Sequence, residues 1–319
     1  MLKKNKKINY QNLLIEWLES IKLKVKATTF IHYQQLIYQH IIPILGIYKV
    51  EELTTKQIEQ FLKFKLENGR LDKKGGLSIK TTTDLLILIK TTLQYAKNQQ
   101  LKMKCNLNLL KIKKQEKKVK IFSRKEQMIL ENNLINNINK YKLGILISLY
   151  TGIRIGELCA LKWSNIDFQN QKIYINQTVQ RIKNFETSTN LKTKIMFSSP
   201  KSYSSIREIP IPKILIPFLK KYYQNSNLYV LSCKEKQIEP RVMQYQFKKQ
   251  LKQCNLPLTF SFHSLRHTFA TRCVEMGFEI KSLSEILGHS NVNITLDCYV
   301  HSSFELKMIQ MNKLKLLNQ

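Results

Sequence analysis

Arginine is scarce in this chain of 319 residues: only eight of the 53 basic residues are arginine, and the rest are lysine. A planar guanidinium fork does what a lysine ammonium cannot, so each arginine marks a geometric need. Acidic residues are few as well, 22 against 53, for a net charge of +31. No carboxylate cluster stands ready for Mg²⁺, and a polyanion is the first partner to consider. Asparagine and isoleucine are abundant beside the lysine, the bias of an AT-rich genome, so part of the lysine is surface filler. The charge is also even, net +16 over residues 1–122 and +15 over the remainder. Two equally basic halves suit a clamp closing on a duplex from both sides, not a basic tail on a neutral enzyme.

The six cysteines form no Cys-x-x-Cys pair and no metal-type spacing. They read as reduced, mostly buried thiols of a cytosolic protein. The longest fully apolar run is 85–89, far short of a membrane span. The basic N-terminus is not followed by an apolar run of signal-peptide length. Walker, Gly-x-Gly-x-x-Gly and His-Glu-x-x-His motifs are all missing, and no repeat is sustained.

Periodicity divides the chain. Residues 1–8 read as a basic disordered N-terminus. Within 9–100, four helices are predicted: 10–21, 30–41 ended by Pro43 and Gly46, about 55–68, and 78–98. This small helical domain carries no catalytic constellation and reads as a binding module. Residues 101–120 read as an interdomain linker, six lysines in 111–120 making it either a solvated segment or a strap along phosphates. A domain spanning 121–301 opens on the capping box Ser123-Arg-Lys-Glu126. Its helices are predicted at 141–150, from Arg154, at 213–224, at 240–254 and from His263 to Gly277. A second capping box, Ser282-Leu-Ser-Glu285, opens a short helix ended by Gly288. The only β pair expected is 172–182 with 205–211, around a long polar turn at 184–203. The tail, 302–319, is amphipathic. The fold class is thus mainly α in two domains, the second α+β with a small antiparallel sheet.

Four of the six histidines lie in 261–301. His263 and Arg266, three apart, share a helix face. His289 follows in Leu-Gly-His-Ser, and Tyr299 ten residues later. Upstream, Thr151-Gly-Ile-Arg-Ile-Gly-Glu places Arg154 and Glu157 at helical spacing. Such a set suits phosphoryl transfer. Charge that builds on phosphate oxygens is stabilised by preorganised donors, and guanidinium binds two oxygens at once. His267, four residues from His263, has metal-type spacing but no acidic or cysteine neighbour, and reads as a packed histidine.

Arg, His-x-x-Arg, Gly-His and Tyr, in this order, resemble the tyrosine recombinase (phage integrase) family, most of all integrases of integrative mobile elements. The resemblance implies a SAM-like core-binding domain at 9–100 and a catalytic domain at 121–301. It also implies that no additional arm-binding domain fits ahead of the first helix. Tyr299 becomes the nucleophile, Arg154 and Arg266 the phosphate clamp, His263 the base or proton shuttle, and His289 a donor to a phosphate oxygen. Glu157 is assigned to orienting Arg154 or a nearby histidine. The family's general-acid lysine stands on a β-hairpin turn. Pro200-Lys201-Ser202 before Ser205-Ile-Arg-Glu-Ile-Pro210 matches its wording and selects Lys201, with Lys194 and Lys192 as rivals in the same turn. The implied reaction forms a 3′-phosphotyrosyl link and a Holliday junction on double-stranded DNA, with no ATP and no metal. The chain would be a monomer in solution and a homo-tetramer on synapsed DNA, its tail docking on a neighbouring subunit. An excisionase or bending protein would be the accessory partner. The implied location is the bacterial cytoplasm, at the nucleoid when DNA is bound.

A chromosomal or plasmid resolvase or invertase has the same chemistry and differs in genomic neighbourhood. A type IB topoisomerase shares the tyrosine chemistry but relaxes one duplex alone. A non-catalytic regulator fits the charge but has no reason to keep Arg154, His263, Arg266, His289 and Tyr299 together.

Overall fold

The computed structural model describes residues 8–113, 119–184, 192–198, 205–299, 308, 311 and 312, with 297–299 as backbone only. The expectations for the extreme N-terminus, for Lys201 and for most of the tail fall outside these residues. The chain separates into two compact units, Met1–Lys117 with Ile182–Lys192, and Lys118–Arg181 with Thr193–Gln319.

The first unit is helical. Helix α1 (Tyr10–Ile21) buries Tyr10, Leu13, Leu14, Trp17 and Leu18, the stripe its sequence spaces at helical intervals. Helix α2 (Ala27–Leu36) passes through a π-turn at Ile37–Ile41 into the short α3 (Ile42–Leu45). The expected stop at Pro43 is therefore a change of helix geometry. Pro43 falls in the first turn of α3, where a missing N–H costs nothing. Helix α4 (Thr55–Asn68) opens on a capping box between Thr54 and Gln57, and α5 (Ile79–Asn98) on the Ser78 hydroxyl. Helices α1 and α5 are joined through the buried pair Tyr10–Thr92, 2.7 Å between hydroxyls. The stretch read as a linker does not begin at residue 101. Leu110 is buried in this core, and Leu101, Met103, Cys105, Leu107 and Ile112 pack against it. Its alternating apolar residues, not its lysines, decide where it lies.

The second unit is built around α7 (Lys140–Thr151), buried along almost its whole length among α6 (Arg124–Ile135), α10 (Pro240–Gln253) and α11 (His263–Glu275). Helix α6 opens on the Ser123–Glu126 box. Helix α7 ends at Gly152, φ +64°, where a Cβ would meet Phe269 and Leu287 side chains at 2.6 and 2.8 Å. The short α8 (Ile155–Ala160) follows. The stretch expected as one strand at 172–182 is two, β2 (Lys172–Ile175) and β3 (Thr178–Lys183). With β1 (Ile166–Asp167) and β5 (Arg207–Pro210), β2 makes an antiparallel sheet ordered β1-β2-β5. A further strand, β4 (Thr193–Ser198), pairs with β3 inside the stretch read as a polar turn. Its Ile195, Met196 and Phe197 are only three consecutive apolar residues between Lys194 and Ser198, too short a run to stand out. A 3₁₀ turn at Lys213–Leu215 leads into α9 (Ile216–Tyr222).

Helix α12 (Ile280–Leu287) starts ahead of the expected capping box. Glu279, not Ser282, is the cap, its carboxylate accepting from the Ser282 amide at 3.3 Å. That phase turns Leu283 and Leu287 inward. Helix α13 (Val292–Tyr299) closes the described part. Among the described cysteines, Cys159 and Cys273 are buried while Cys105, Cys233 and Cys254 are half-buried, so fewer are interior than expected. No described helix is long and apolar enough to cross a membrane.

Candidate active site

The site gathers at the C-terminal end of α12. The last carbonyls of a helix have no partner within it and carry the negative end of the helix dipole. Here three successive carbonyls each accept from a different arginine. Ile286 O accepts from Arg207 Nε at 2.6 Å, Leu287 O from Arg266 Nη2 at 2.7 Å, and Gly288 O from Arg154 Nη2 at 2.9 Å. The three arginines come from distant parts of the chain. Arg154 precedes α8, Arg207 opens β5, and Arg266 lies in the first turns of α11.

Arg154 is not inside a helix, as its spacing to Glu157 suggested. It is the extended residue immediately before α8, and the Glu157 carboxylate caps that helix by accepting from the Arg154 amide at 3.0 Å. The same carboxylate takes Arg154 Nη1 at 2.8 Å and Arg207 through both terminal nitrogens, at 3.1 and 2.9 Å. Glu157 is 3% exposed and Arg207 5%, whereas Arg154 is 34% exposed and turned partly to solvent. Burial pushes the Glu157 carboxyl up, but hydrogen bonds and charge from Arg207, with Arg154, overcome this and hold it below the ordinary carboxylate value.

Arg266 is 2% exposed and also donates to Gly152 O at 2.8 Å, tying the end of α7 to the end of α12. The left-handed turns at Gly152 and Gly288 aim these carbonyls at the guanidiniums. A small cleft of about 130 Å³ is lined by Arg266 and His263 together with Ile153, Ile155 and Gln244.

His263 opens α11 and meets His267 edge to face at 4.5 Å. Loss of hydration on packing, then the His267 ring and the Arg266 and Arg154 charges, push the His263 imidazole down to about 4, although the residue as a whole is exposed. His289 follows Gly288 directly, and its Nδ1 lies 2.8 Å from the hydroxyl of Thr295 in α13. Burial, then Arg266, Arg154, Arg207 and His263, push it to about 4 as well. Each imidazole therefore feels both arginines, which puts the four groups around one place. His267 is lowered to about 4 by burial and then by Arg266. Among the described residues no three His, Cys, Asp or Glu side chains are grouped to hold a metal ion.

Tyr299 is the last residue of α13, four positions after Thr295. Lys201 lies outside the described residues, and its rival Lys194 stands in β4. Arg154, Glu157, His263, Arg266 and His289 are thus brought together from three separate stretches. Arg207 was missed: in the sequence it served only as wording around Lys201. Its signal was the scarcity of arginine, which already argued that each of the eight has a geometric task.

The arrangement can be set beside known proteins. The family model "Phage integrase family" matches residues 126–305, and "Phage integrase, N-terminal SAM-like domain" matches 9–66. A tyrosine recombinase XerC-like protein of Caldanaerobacter subterraneus subsp. tengcongensis is 28% identical, over 91% of this chain and 78% of the relative. The ICEBs1 integrase of Bacillus subtilis is 22% identical, over 94% and 80%. In fold, the chain is similar to the Tn1549 transposon integrase in complex with a circular intermediate DNA. The TM-score is 0.77 and the identity 21%, over 96% of this chain and all of that one.

Proposed function

The chain belongs to the phage integrase family and is a site-specific tyrosine recombinase, and we propose that it cuts and rejoins DNA through Tyr299 at the site built on the end of α12. The observation that carries this reading is the arginine array. Arg154 and Arg266 are fixed on neighbouring carbonyls, with two imidazoles in the same field, so donors for a phosphodiester are held in place before any substrate arrives. Preorganised charge of this kind is what a phosphoryl transition state needs.

The steps follow from the residues. The Tyr299 oxygen bonds to phosphorus and the bond from phosphorus to the 5′-oxygen breaks. The phenol proton passes to His263, which is neutral at pH 7 because its pKa is low, and so is able to accept it. His289 donates to a phosphate oxygen. The electron pair of the broken bond goes to the 5′-oxygen, which takes a proton from Lys201. A bound phosphodiester adds negative charge beside both imidazoles and raises their pKa, which favours their protonated forms during the step. The phosphotyrosyl ester keeps the bond energy, so the reverse attack by a 5′-hydroxyl of the partner duplex needs no ATP. The guanidiniums supply the positive charge a metal would otherwise bring.

Recombining two duplexes cleaves four strands, and each cleavage uses one tyrosine, so the working assembly is a homo-tetramer on two DNA sites. Residues 9–100, with the stretch up to 112 that packs on them, serve as the core-binding domain and 121–301 as the catalytic domain, and the tail 302–319 docks on a neighbour. The likeness to the ICEBs1 integrase favours integration and excision of a mobile element in a bacterial cytoplasm, with a small accessory protein setting direction.

The test uses nicked suicide duplexes tiled across the DNA flanking the coding sequence. The wild-type chain forms a covalent adduct on at least one tile. Tyr299→Phe, which loses only a hydroxyl, forms none while binding that tile with nearly unchanged affinity. Adduct with the variant, or none with the wild type on any tile, overturns the reading.

A further inference from the structure

We propose that Arg207 is a positioning residue of this active site, tying Glu157, and through it Arg154, to the end of α12 from which His289 emerges. The inference rests on the reading that the site cleaves DNA.

Arg207 stands opposite Ile175 in the sheet, so the register of β2 and β5 fixes its backbone. From there one side chain reaches three elements. Nε holds Ile286 O at 2.6 Å, Nη1 and Nη2 hold the two Glu157 oxygens at 3.1 and 2.9 Å, and Nη1 also donates to Ser205 O at 3.2 Å. All three of its nitrogens donate to protein oxygens, and whereas Arg266 lines the cleft beside His263, Arg207 does not, so its guanidinium is not presented to substrate. Its influence passes through the groups it holds.

Those groups are the ones the reaction uses. Glu157 grips the exposed Arg154 by both amide and guanidinium. Ile286 precedes the two carbonyls that anchor Arg266 and Arg154, and His289 is three residues further on. Arg207 therefore links the phosphate clamp to the turn that bears His289. Gly288 makes this possible. Its φ is +65°, and a Cβ there would lie 2.9 Å from Arg207 Cδ and 3.1 Å from Nη1. A lysine at 207 has no planar fork and could not hold a carboxylate side-on and a carbonyl at once.

The experiment measures single-turnover cleavage at saturating DNA, on the tile the wild type cleaves, with affinity measured in parallel. Misplacing a clamp group by a fraction of an ångström to one ångström slows chemistry by about 10–10²-fold. Arg207→Ala should lose that much in rate while its Kd stays within about threefold of wild type, the split expected of positioning rather than binding. Arg207→Lys should be no more than a few-fold better. Glu157→Gln combined with Arg207→Ala should be hardly slower than the slower single variant, because both break one link. Glu208→Ala, on the same strand but in an exposed pair with Lys172, should cleave like wild type. If Arg207→Ala shows no cooperative thermal transition, Arg207→Lys, which keeps charge and bulk, carries the test.

Three results overturn the inference with the cleavage reading intact: a folded Arg207 variant within threefold of the wild-type rate, affinity falling as far as rate, or single losses that multiply in the double variant. A wild type that forms no adduct on any tile overturns the cleavage reading and this inference with it.

Discussion

Replacing Glu157 by glutamine tests the centre of the arginine array, because the change is nearly isosteric and removes one charge. The carboxylate accepts four hydrogen bonds, from the Arg154 amide, from Arg154 Nη1 and from Arg207 Nη1 and Nη2. Glutamine has one carbonyl oxygen, and whichever way the amide turns its NH₂ faces donors. Arg207, 5% exposed, is then a buried cation without its counter-charge. Removing one partner of a buried pair costs about 3–5 kcal/mol. Arg154, 34% exposed, adds little, since water screens it. In a unit of this size each kcal/mol lowers Tm by about 2–4 °C, so the loss at pH 7 is roughly 6–20 °C. Scanning calorimetry of the full chain, following the transition of the catalytic unit, reads it directly. The sign with pH is fixed as well. The Glu157 carboxyl lies below its ordinary value, so its stabilisation is complete above that value and is lost as pH falls through the folded one. The gap between wild type and Glu157→Gln should therefore be full at pH 7 and narrow below about pH 4. A shift under about 2 °C at pH 7, or a gap that widens in acid, would refute the account of a charge-locked array.

Arg154→Ala and Arg266→Ala should each slow cleavage by about 10²-fold or more, and a rate within a few-fold of wild type rejects the clamp. They should differ in stability: Arg266→Ala leaves two buried carbonyls without donors at about 1–3 kcal/mol each, while the more exposed Arg154 loses less. Adduct formation should be insensitive to EDTA, and strong inhibition reversed by a divalent cation would restore a metal to the mechanism. Lys201→Ala should slow cleavage strongly while Lys192→Ala and Lys194→Ala do not. A 5′-bridging sulfur, a leaving group that needs no proton, should rescue Lys201→Ala but not Tyr299→Phe, and failure of that rescue removes Lys201 as the acid.

What the sequence determined by itself is whatever depends on neighbours a few residues apart. The apolar spacing of α1, the Ser123–Glu126 box and the buried run of α7 are local signals, and each element stands where its pattern predicts. The order Arg154, His263, Arg266, His289 and Tyr299 is legible as a resemblance to the phage integrase family, and of these the structure brings Arg154, His263, Arg266 and His289 together. Tertiary structure decided what local signals leave open. Pro43 ends an α-helix in sequence terms, yet a π-turn carries the chain past it. Ser282 and Glu279 both qualify as caps of α12, and the burial of Leu283 and Leu287 settles the choice. β4 is too short and mixed to announce itself, and exists through its pairing with β3. The array is the furthest from local: Arg207 and Glu157 are 50 residues apart, and Ile286 a further 79 from Arg207. A hydrogen bond between residues so distant depends on how strands and helices pack, and the sequence alone shows only that an arginine, where few are present, has been kept for something.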